Sequence, residues 1–142
     1  MSELIKESVQ KQFFAKFESE PDLQGKVEPL FLEVLRVELL KPGATTKAVL
    51  IEGCHGALSG LLLAGKDVRA CAVDILKAVA LVVQERSGDP MTTMGYALEG
   101  IARIAPAVHR DTVAQIANEI DSAFMGAGET FSAFASKYQP KS

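Results

Sequence analysis

The feature that most constrains the fold is the spacing of the apolar residues, which follows an α-helical period. Ile5, Val9, Phe13 and Phe17 recur at intervals of four, so they lie along one face of a helix. No short β-branched run with two-residue alternation between turn residues occurs in the sequence. Helical spacing recurs in the later segments, and the sequence therefore predicts an all-α fold.

Residues that stop and start helices divide the chain into six or seven helices. Proline cannot continue a helix and glycine accepts positive φ, while an aspartate followed by proline favours a new helix start. A first helix is expected with Ser2 as its N-cap and Pro21-Asp22 as its stop. The later helices are expected over 27–40, from Thr45 or Thr46 to about Ala64, from Val68 (capped by Asp67) to about Arg86, from Asp89-Pro90 to Pro106, from a capping box at Thr112–Gln115 or from near Ala107 to Phe124, and from about Glu129 to Tyr138.

The length of 142 residues predicts one domain, over 1–142, built from antiparallel helical hairpins. Residues 1–41 carry fourteen charged side chains and residues 42–86 carry nine, so 1–41 is expected to form amphipathic covering helices and 45–125 the central hairpins. A short helix and tail follow at 126–142. Aromatic residues make up only 6% of the chain, which predicts a core of Leu, Val, Ile and Ala.

A shift of about forty residues brings one part of the sequence onto another. It places Ala57-Leu58-Ser59-Gly60-Leu61 on Ala97-Leu98-Glu99-Gly100-Ile101, and Val68 on Val108. Two hairpins of similar design, packed on each other, would give such a pattern. The match is weak enough that chance composition explains it equally well, so a two-fold internal repeat is one of two open interpretations.

Small residues recur every four positions at Gly56, Gly60 and Ala64, which places them in one stripe along the third helix. A glycine inside a helix costs about 1 kcal/mol relative to alanine, so the stripe indicates a compensating benefit. One interpretation is close packing against another helix, within the chain or across a dimer axis. The other is a narrow groove for an apolar ligand or a lipid chain. Packing is favoured, because close contacts are far more numerous than pockets.

The residues best suited to chemistry give no complete catalytic or metal-binding pattern. Cys54 and Cys71 are expected to be reduced and buried, and Cys54 and His55 point about 100° apart on a helix. Glu52 and His55 share a face, as in di-iron bundles, but His109 lacks the matching glutamate because Pro106 stands there. No nucleotide-binding motif is present, so we expect no metal and no cofactor.

Charge and hydropathy exclude several function classes. A net charge of −3 argues against a nucleic-acid binder. The longest uncharged run in the helical body, Gly53–Gly65, is too short for a transmembrane segment. The N-terminal residues do not resemble a signal peptide, and the expected location is the cytoplasm.

Two functions remain open. The excess of apolar positions, with a mean hydropathy of +0.15, favours a non-enzymatic helical interaction or structural protein acting as a homo-oligomer, a dimer in the simplest case, that buries part of its first two helices or the glycine stripe. The alternative is a binder of an apolar ligand or lipid chain in an inter-helical groove. Met91 and Met94 fit either an adaptable binding surface or an ordinary core.

Overall fold

A computed structural model describes the backbone of residues 2–139 and the side chains of residues 4–139, so residues 140–142 of the predicted tail lie outside the described part. Within residues 2–139 the chain forms seven α-helices and no strand. This confirms the predicted all-α, single-domain bundle. The helices are α1 (Ser2–Phe17), α2 (Val27–Leu40), α3 (Thr46–Leu63), α4 (Val68–Glu85), α5 (Pro90–Ala102), α6 (Arg110–Ala123) and α7 (Ala127–Tyr138), with a short 3-10 helix at Ala105–Ala107.

The helices pack in two layers. Helices α1, α3, α5 and α7 follow one another in the first layer, and α2, α4 and α6 form the second. Gly56 lies beside Lys6 and Gly60 beside Gln10, so α1 and α3 advance together and run parallel. Successive helices in the chain alternate between the layers, which gives three stacked helical pairs. Helix α7 closes the stack by packing against both α5 and α6.

The pairs repeat with a period close to the predicted forty residues. Helices α3 and α5 begin 44 residues apart, at Thr46 and Pro90, and α4 and α6 begin 42 residues apart, at Val68 and Arg110. The hairpin pattern behind the sequence match is therefore present in the fold. The register differs slightly from the predicted one, because the corresponding helix starts are separated by more than forty residues.

Side-chain caps set most of the helix starts. The Thr45 side chain accepts a hydrogen bond from the Ala48 N–H (3.2 Å), and Asp67 and Asp89 cap α4 and α5, as predicted. The expected start of the sixth helix is wrong. It begins at Arg110, where the His109 Nδ1 accepts from the Asp111 N–H (3.1 Å), and the predicted capping box is not used.

The core is mostly aliphatic, as expected, but phenylalanines contribute its largest buried side chains. Phe13 lies with its ring centroid 5.8 Å from those of Phe17 and Phe31, joining α1 to α2. Such tilted and edge-on pairs add to the area that they bury. Four of the seven phenylalanines are fully buried, so the low aromatic content understated their share of the core: these are Phe13, Phe17, Phe31 and Phe131.

Candidate functional site

The predicted stripe of Gly56, Gly60 and Ala64 divides between a helix contact and a helix end. A Cβ atom on Gly60 would lie 2.6 Å from the Gln10 carbonyl oxygen, and one on Gly56 would lie closer still to that of Lys6. The two glycines therefore allow the backbones of α1 and α3 to touch. Ala64 follows the last residue of α3 and is half-buried, with its N–H donating to the Gly60 carbonyl oxygen (3.0 Å).

A third glycine makes the same kind of contact between α3 and α5. A Cβ atom on Gly100 would overlap the Ile51 carbonyl oxygen and would lie 3.0 Å from the Cβ of Cys54. Gly100 is the residue that the forty-residue shift matched to Gly60, yet it lies outside the predicted stripe. The first layer is thus closed by glycines from α1 through α3 to α5.

The other half of α5 is open on both sides. Between α4 and α5 lies a cleft of about 440 Å³, here called the α4–α5 cleft. Between α5 and the start of α7 lies a second cleft, of about 530 Å³, here called the α5–α7 cleft. Pro90 and Met94 line both clefts, so they adjoin across the first turns of α5, and together we call them the methionine groove.

The walls of the methionine groove are largely apolar. Met91 and Met125 are 86% and 96% exposed at its rim, and Met94 is half-buried between the clefts. Other apolar groups complete the walls: Val79, Ala80 and Val83 on the α4 side, and Leu98, Phe124 and Ala127 on the α7 side. Methionine is flexible and polarisable, which suits a surface that adapts to differently shaped apolar groups.

The buried polar group in the wall is already satisfied. The Thr93 hydroxyl donates to the Asp89 carbonyl oxygen (2.7 Å), one turn back in its own helix. Its methyl carbon lies on the side of Gly88 and Val83. The α4–α5 cleft therefore presents a hydrocarbon surface at this position. An apolar group that enters it does not leave the Thr93 hydroxyl without a hydrogen-bond partner.

The turn that borders the α4–α5 cleft is strained. Ser87 has φ of +55°, a left-handed conformation that favours glycine, and the other left-handed residues, in the described part of the chain, are all glycines. The Gly88 N–H donates to the Val83 carbonyl oxygen (2.9 Å), which closes the end of α4. Arg86, the residue before Ser87, lines a smaller adjoining cleft of about 170 Å³ together with Val83, Gly88 and Thr93.

The cysteines lie in the core. Cys54 is fully buried, and burial raises the pKa of its thiol well above the usual range. Burial, with the nearby charges of Asp74 and Asp67, raises the pKa of Cys71 to about 12. Neither sulfur is activated as a thiolate at neutral pH, and neither residue lines the methionine groove.

His55 and Glu52 lie in α3, in the first layer, and line neither cleft of the methionine groove. Burial, together with the charges of Lys6 and Arg103, lowers the pKa of His55 to about 4, so its imidazole is neutral at pH 7. Glu52 Oε2 lies 2.7 Å from Arg103 Nη1, which joins α3 to α5. In the described residues no group of three or more histidine, cysteine, aspartate or glutamate side chains is placed to hold a metal ion.

Arg103 is the centre of a polar cluster that joins α3, α5 and α7. Glu99 Oε2 lies 3.4 Å from Arg103 Nη2 and accepts a hydrogen bond from the Tyr138 hydroxyl (3.2 Å). The Arg103 guanidinium also lies over the Tyr138 ring, 6.0 Å from its centroid. This cluster fastens α7 to α5 and α3 and complements the glycine contacts below it.

Sequence reasoning named Met91 and Met94 but not Met125, and it placed Ser87-Gly88 and Phe124 only at helix ends, not at a binding surface. Their meeting depends on how α6 and α7 return to α5, which local spacing does not encode. None of the helices, over residues 2–139, is long and apolar enough to cross a membrane. Comparisons with family models, with curated protein sequences and with solved structures give no match to this chain.

Proposed function

We propose that this protein is a non-enzymatic helical module that binds an aliphatic ligand in the methionine groove. The observation that carries the proposal is the pair of adjoining clefts on either side of Pro90 and Met94. Their volumes, about 440 and 530 Å³, lie in the range typical of small-molecule sites, about 300–1,000 Å³. The proposal includes the cytoplasmic location expected from the sequence, which fluorescence imaging of a tagged chain would check.

The groove favours hydrocarbon over polar ligands. Its walls are mostly aliphatic, aromatic and thioether side chains, and the polar ones among them are Gln84, Ser87, Thr93 and Thr130. The hydroxyl of Thr93 donates to a carbonyl of its own helix. Burying one methylene contributes about 0.8 kcal/mol, so complete burial of an eight-carbon chain contributes about 6 kcal/mol. Ordering costs reduce this figure, and we expect sub-millimolar dissociation constants for such a chain.

Calorimetric titration with 1-octanol tests the proposal on the intact chain. The wild-type protein is expected to bind about one molecule saturably, at concentrations where the alcohol is fully dissolved. Met94→Asp places a carboxylate between the two clefts and is expected to abolish binding. Met91→Asp, at a rim position that is 86% exposed, gives a second variant that keeps the test valid should Met94→Asp not fold.

The matched control is Leu63→Asp, at an exposed apolar position in the last turn of α3, outside the groove. This variant is expected to bind 1-octanol like the wild type. Absence of saturable binding by the wild-type protein contradicts the proposal. Equal affinities of the wild type and both folded methionine variants contradict it as well, because the ligand would then lie elsewhere.

A second candidate function is homo-oligomerisation through the outer face of the first helical pair. Leu4, Val37 and Leu40 are 63%, 51% and 79% exposed there, and α1 and α2 form the end of the stack that no further helix covers among the described residues. Helical stacks commonly need a polar outer face on the terminal pair. A second copy docked on this face would cover these side chains.

Light scattering at tens of micromolar tests the second candidate. We expect a dimeric mass for the wild type and a shift toward the monomer for Leu40→Glu. Met125→Glu is the matched control, since it adds the same charge at an exposed apolar position of the methionine groove. A monomeric mass for the wild type contradicts the dimer and leaves the ligand proposal unaffected.

A further inference from the structure

Arg86 lies beside the methionine groove, in a small neighbouring cleft, and lines neither of the groove's own two clefts. It immediately precedes Ser87-Gly88, the turn that borders the α4–α5 cleft, and it lines the adjoining small cleft together with Val83, Gly88 and Thr93. Val83, Gly88 and Thr93 line the α4–α5 cleft as well as this small cleft. A cation therefore lies in the small cleft that shares these three wall residues with the α4–α5 cleft.

The carboxylates nearest to Arg86 in sequence are already engaged. Glu85 pairs with Arg36 through both of its oxygens, and Asp89 accepts a hydrogen bond from the Met91 N–H (3.3 Å) as the N-cap of α5. Arg86 itself is exposed and has no side-chain partner among the residues that the structure describes. Arg86 is thus a cation without a carboxylate partner among the described residues, in a cleft that shares Val83, Gly88 and Thr93 with the α4–α5 cleft.

We infer that the preferred ligand is an anionic amphiphile with a single aliphatic chain, its chain in the methionine groove and its carboxylate or other anionic group at Arg86. The inference rests on the proposed function and adds the chemistry of the head group. A guanidinium pairs well with a carboxylate because two N–H donors match its two oxygens. The exposed position limits the gain, since water and salt screen the pair.

The test compares octanoate with 1-octanol, which share the chain and differ in the head group. Calorimetric titration gives both affinities for the wild type, for Arg86→Gln and for Lys11→Gln, a control that removes one exposed cation from α1 outside the groove. In Arg86→Gln the ratio of octanoate affinity to 1-octanol affinity is expected to fall about fivefold, which corresponds to an exposed charge-assisted contact. Lys11→Gln is expected to leave the ratio unchanged.

The outcomes separate this inference from the proposed function. Failure of 1-octanol to bind the wild-type protein contradicts the proposed function. Binding of 1-octanol with an unchanged octanoate ratio in Arg86→Gln leaves the groove intact and overturns the head-group inference alone. A ratio that falls equally in Arg86→Gln and Lys11→Gln also overturns it, because the effect would then come from net charge and not from Arg86.

Discussion

The two halves of α5 differ more from each other than their sequences suggest. Each half contains a glycine, yet Gly100 is pressed against the backbone of α3, whereas a Cβ atom on Gly95 would meet nothing within 4 Å. The closed half lies in the layer fastened by Glu52 and Arg103, and the open half is flanked by the two clefts of the methionine groove. Gly95 and Gly100 are five positions apart in one helix, yet only Gly100 is packed against another backbone.

The difference shows that the neighbouring helix determines whether a helical glycine is needed for packing. Gly56, Gly60 and Gly100 remove a side chain where another backbone needs the space. Gly95 has no such neighbour and simply carries the cost of glycine in a helix. The open half is recognised by its methionines and by the turn at Ser87, and the substitutions below test each half in turn.

The largest effect is expected from Gly100→Ala. The added Cβ would overlap the Ile51 carbonyl oxygen, so α3 and α5 must separate. Because backbone atoms cannot move aside as a flexible side chain can, we expect a loss of about 3 kcal/mol or more in the free energy of unfolding. Urea denaturation followed by circular dichroism measures it.

Gly95→Ala and Gly53→Ala are the matched controls for Gly100→Ala. A Cβ on Gly95 has open space, and one on Gly53 has ordinary contacts at 3.6 Å and beyond. Both substitutions are expected to leave the stability unchanged or to raise it by up to about 1 kcal/mol, as alanine favours the helix. Equal losses at positions 95 and 100 would refute the division of α5 into an open and a closed half.

A smaller loss is expected from Glu52→Gln, on the α3 side of the contact with the closed half of α5. The substitution removes one charge of the pair with Arg103, whose side chains are only 12% and 28% exposed, and leaves the guanidinium partly uncompensated. We expect a loss of about 2 kcal/mol in the free energy of unfolding. Glu85→Gln, which breaks the well-exposed pair with Arg36, is the control and should cost little. Losses of equal size would show that Glu52 is not part of a closed contact.

The pH dependence of stability probes the first layer through His55 of α3. Its pKa is lowered to about 4 in the folded state, by burial and by Lys6 and Arg103, whereas the unfolded chain takes up the proton near 6.5. The unfolded state therefore binds more protons between these values, so stability is full above pH 6.5 and falls as the pH drops toward 4. After allowance for partial exposure, the expected contribution is about 1–2 kcal/mol.

Urea unfolding of the wild type and of His55→Gln at several pH values between 4 and 7 isolates this contribution. The carboxylates titrate in both proteins, so the difference between the two curves reports on His55. We expect the stability of the wild type relative to the variant to decline as the pH falls from 6.5 to 4. A difference independent of pH would place His55 in open solvent.

The smallest effect is expected at the open half, where Ser87→Gly relieves the left-handed conformation at φ of +55°. Glycine adopts this conformation without the steric cost of a Cβ, and its greater freedom in the unfolded chain offsets part of the gain. We expect an increase of about 0.5 kcal/mol in the free energy of unfolding. Gly65→Ala, at φ of +78° with open space around it, is the reverse control and should destabilise. Loss of stability in Ser87→Gly would contradict the strain assigned to this turn.

The helix boundaries were largely predictable because local residues set them. Asp67, Asp89 and Thr45 accept hydrogen bonds from the first turns of their helices, and proline or glycine follows most helix ends. The start of α6 was not predictable in this way. Gln115 of the predicted capping box instead accepts a hydrogen bond from Arg69 of α4 (3.1 Å), a contact that exists only in the folded stack.

The candidate site was predictable only in part. The four-residue spacing of Gly56 and Gly60 indicated a stripe, and Met91 and Met94 fitted either an adaptable surface or an ordinary core. Which glycine meets a neighbouring backbone depends on the register between helices far apart in the chain. The exposure of Met125 depends likewise on the return of α7 to α5. Local spacing in the sequence predicts neither the glycine contacts nor this exposure.

The most direct test of the open groove is methyl NMR of protein labelled with [methyl-¹³C]methionine. The Met91, Met94 and Met125 signals are assigned with single Met→Leu variants, and 1-octanol is added while it remains fully dissolved. If the groove binds the aliphatic chain, the three signals shift together and saturate at one ligand concentration. Signals that stay unmoved, or that drift in proportion to added alcohol without saturating, would contradict the account.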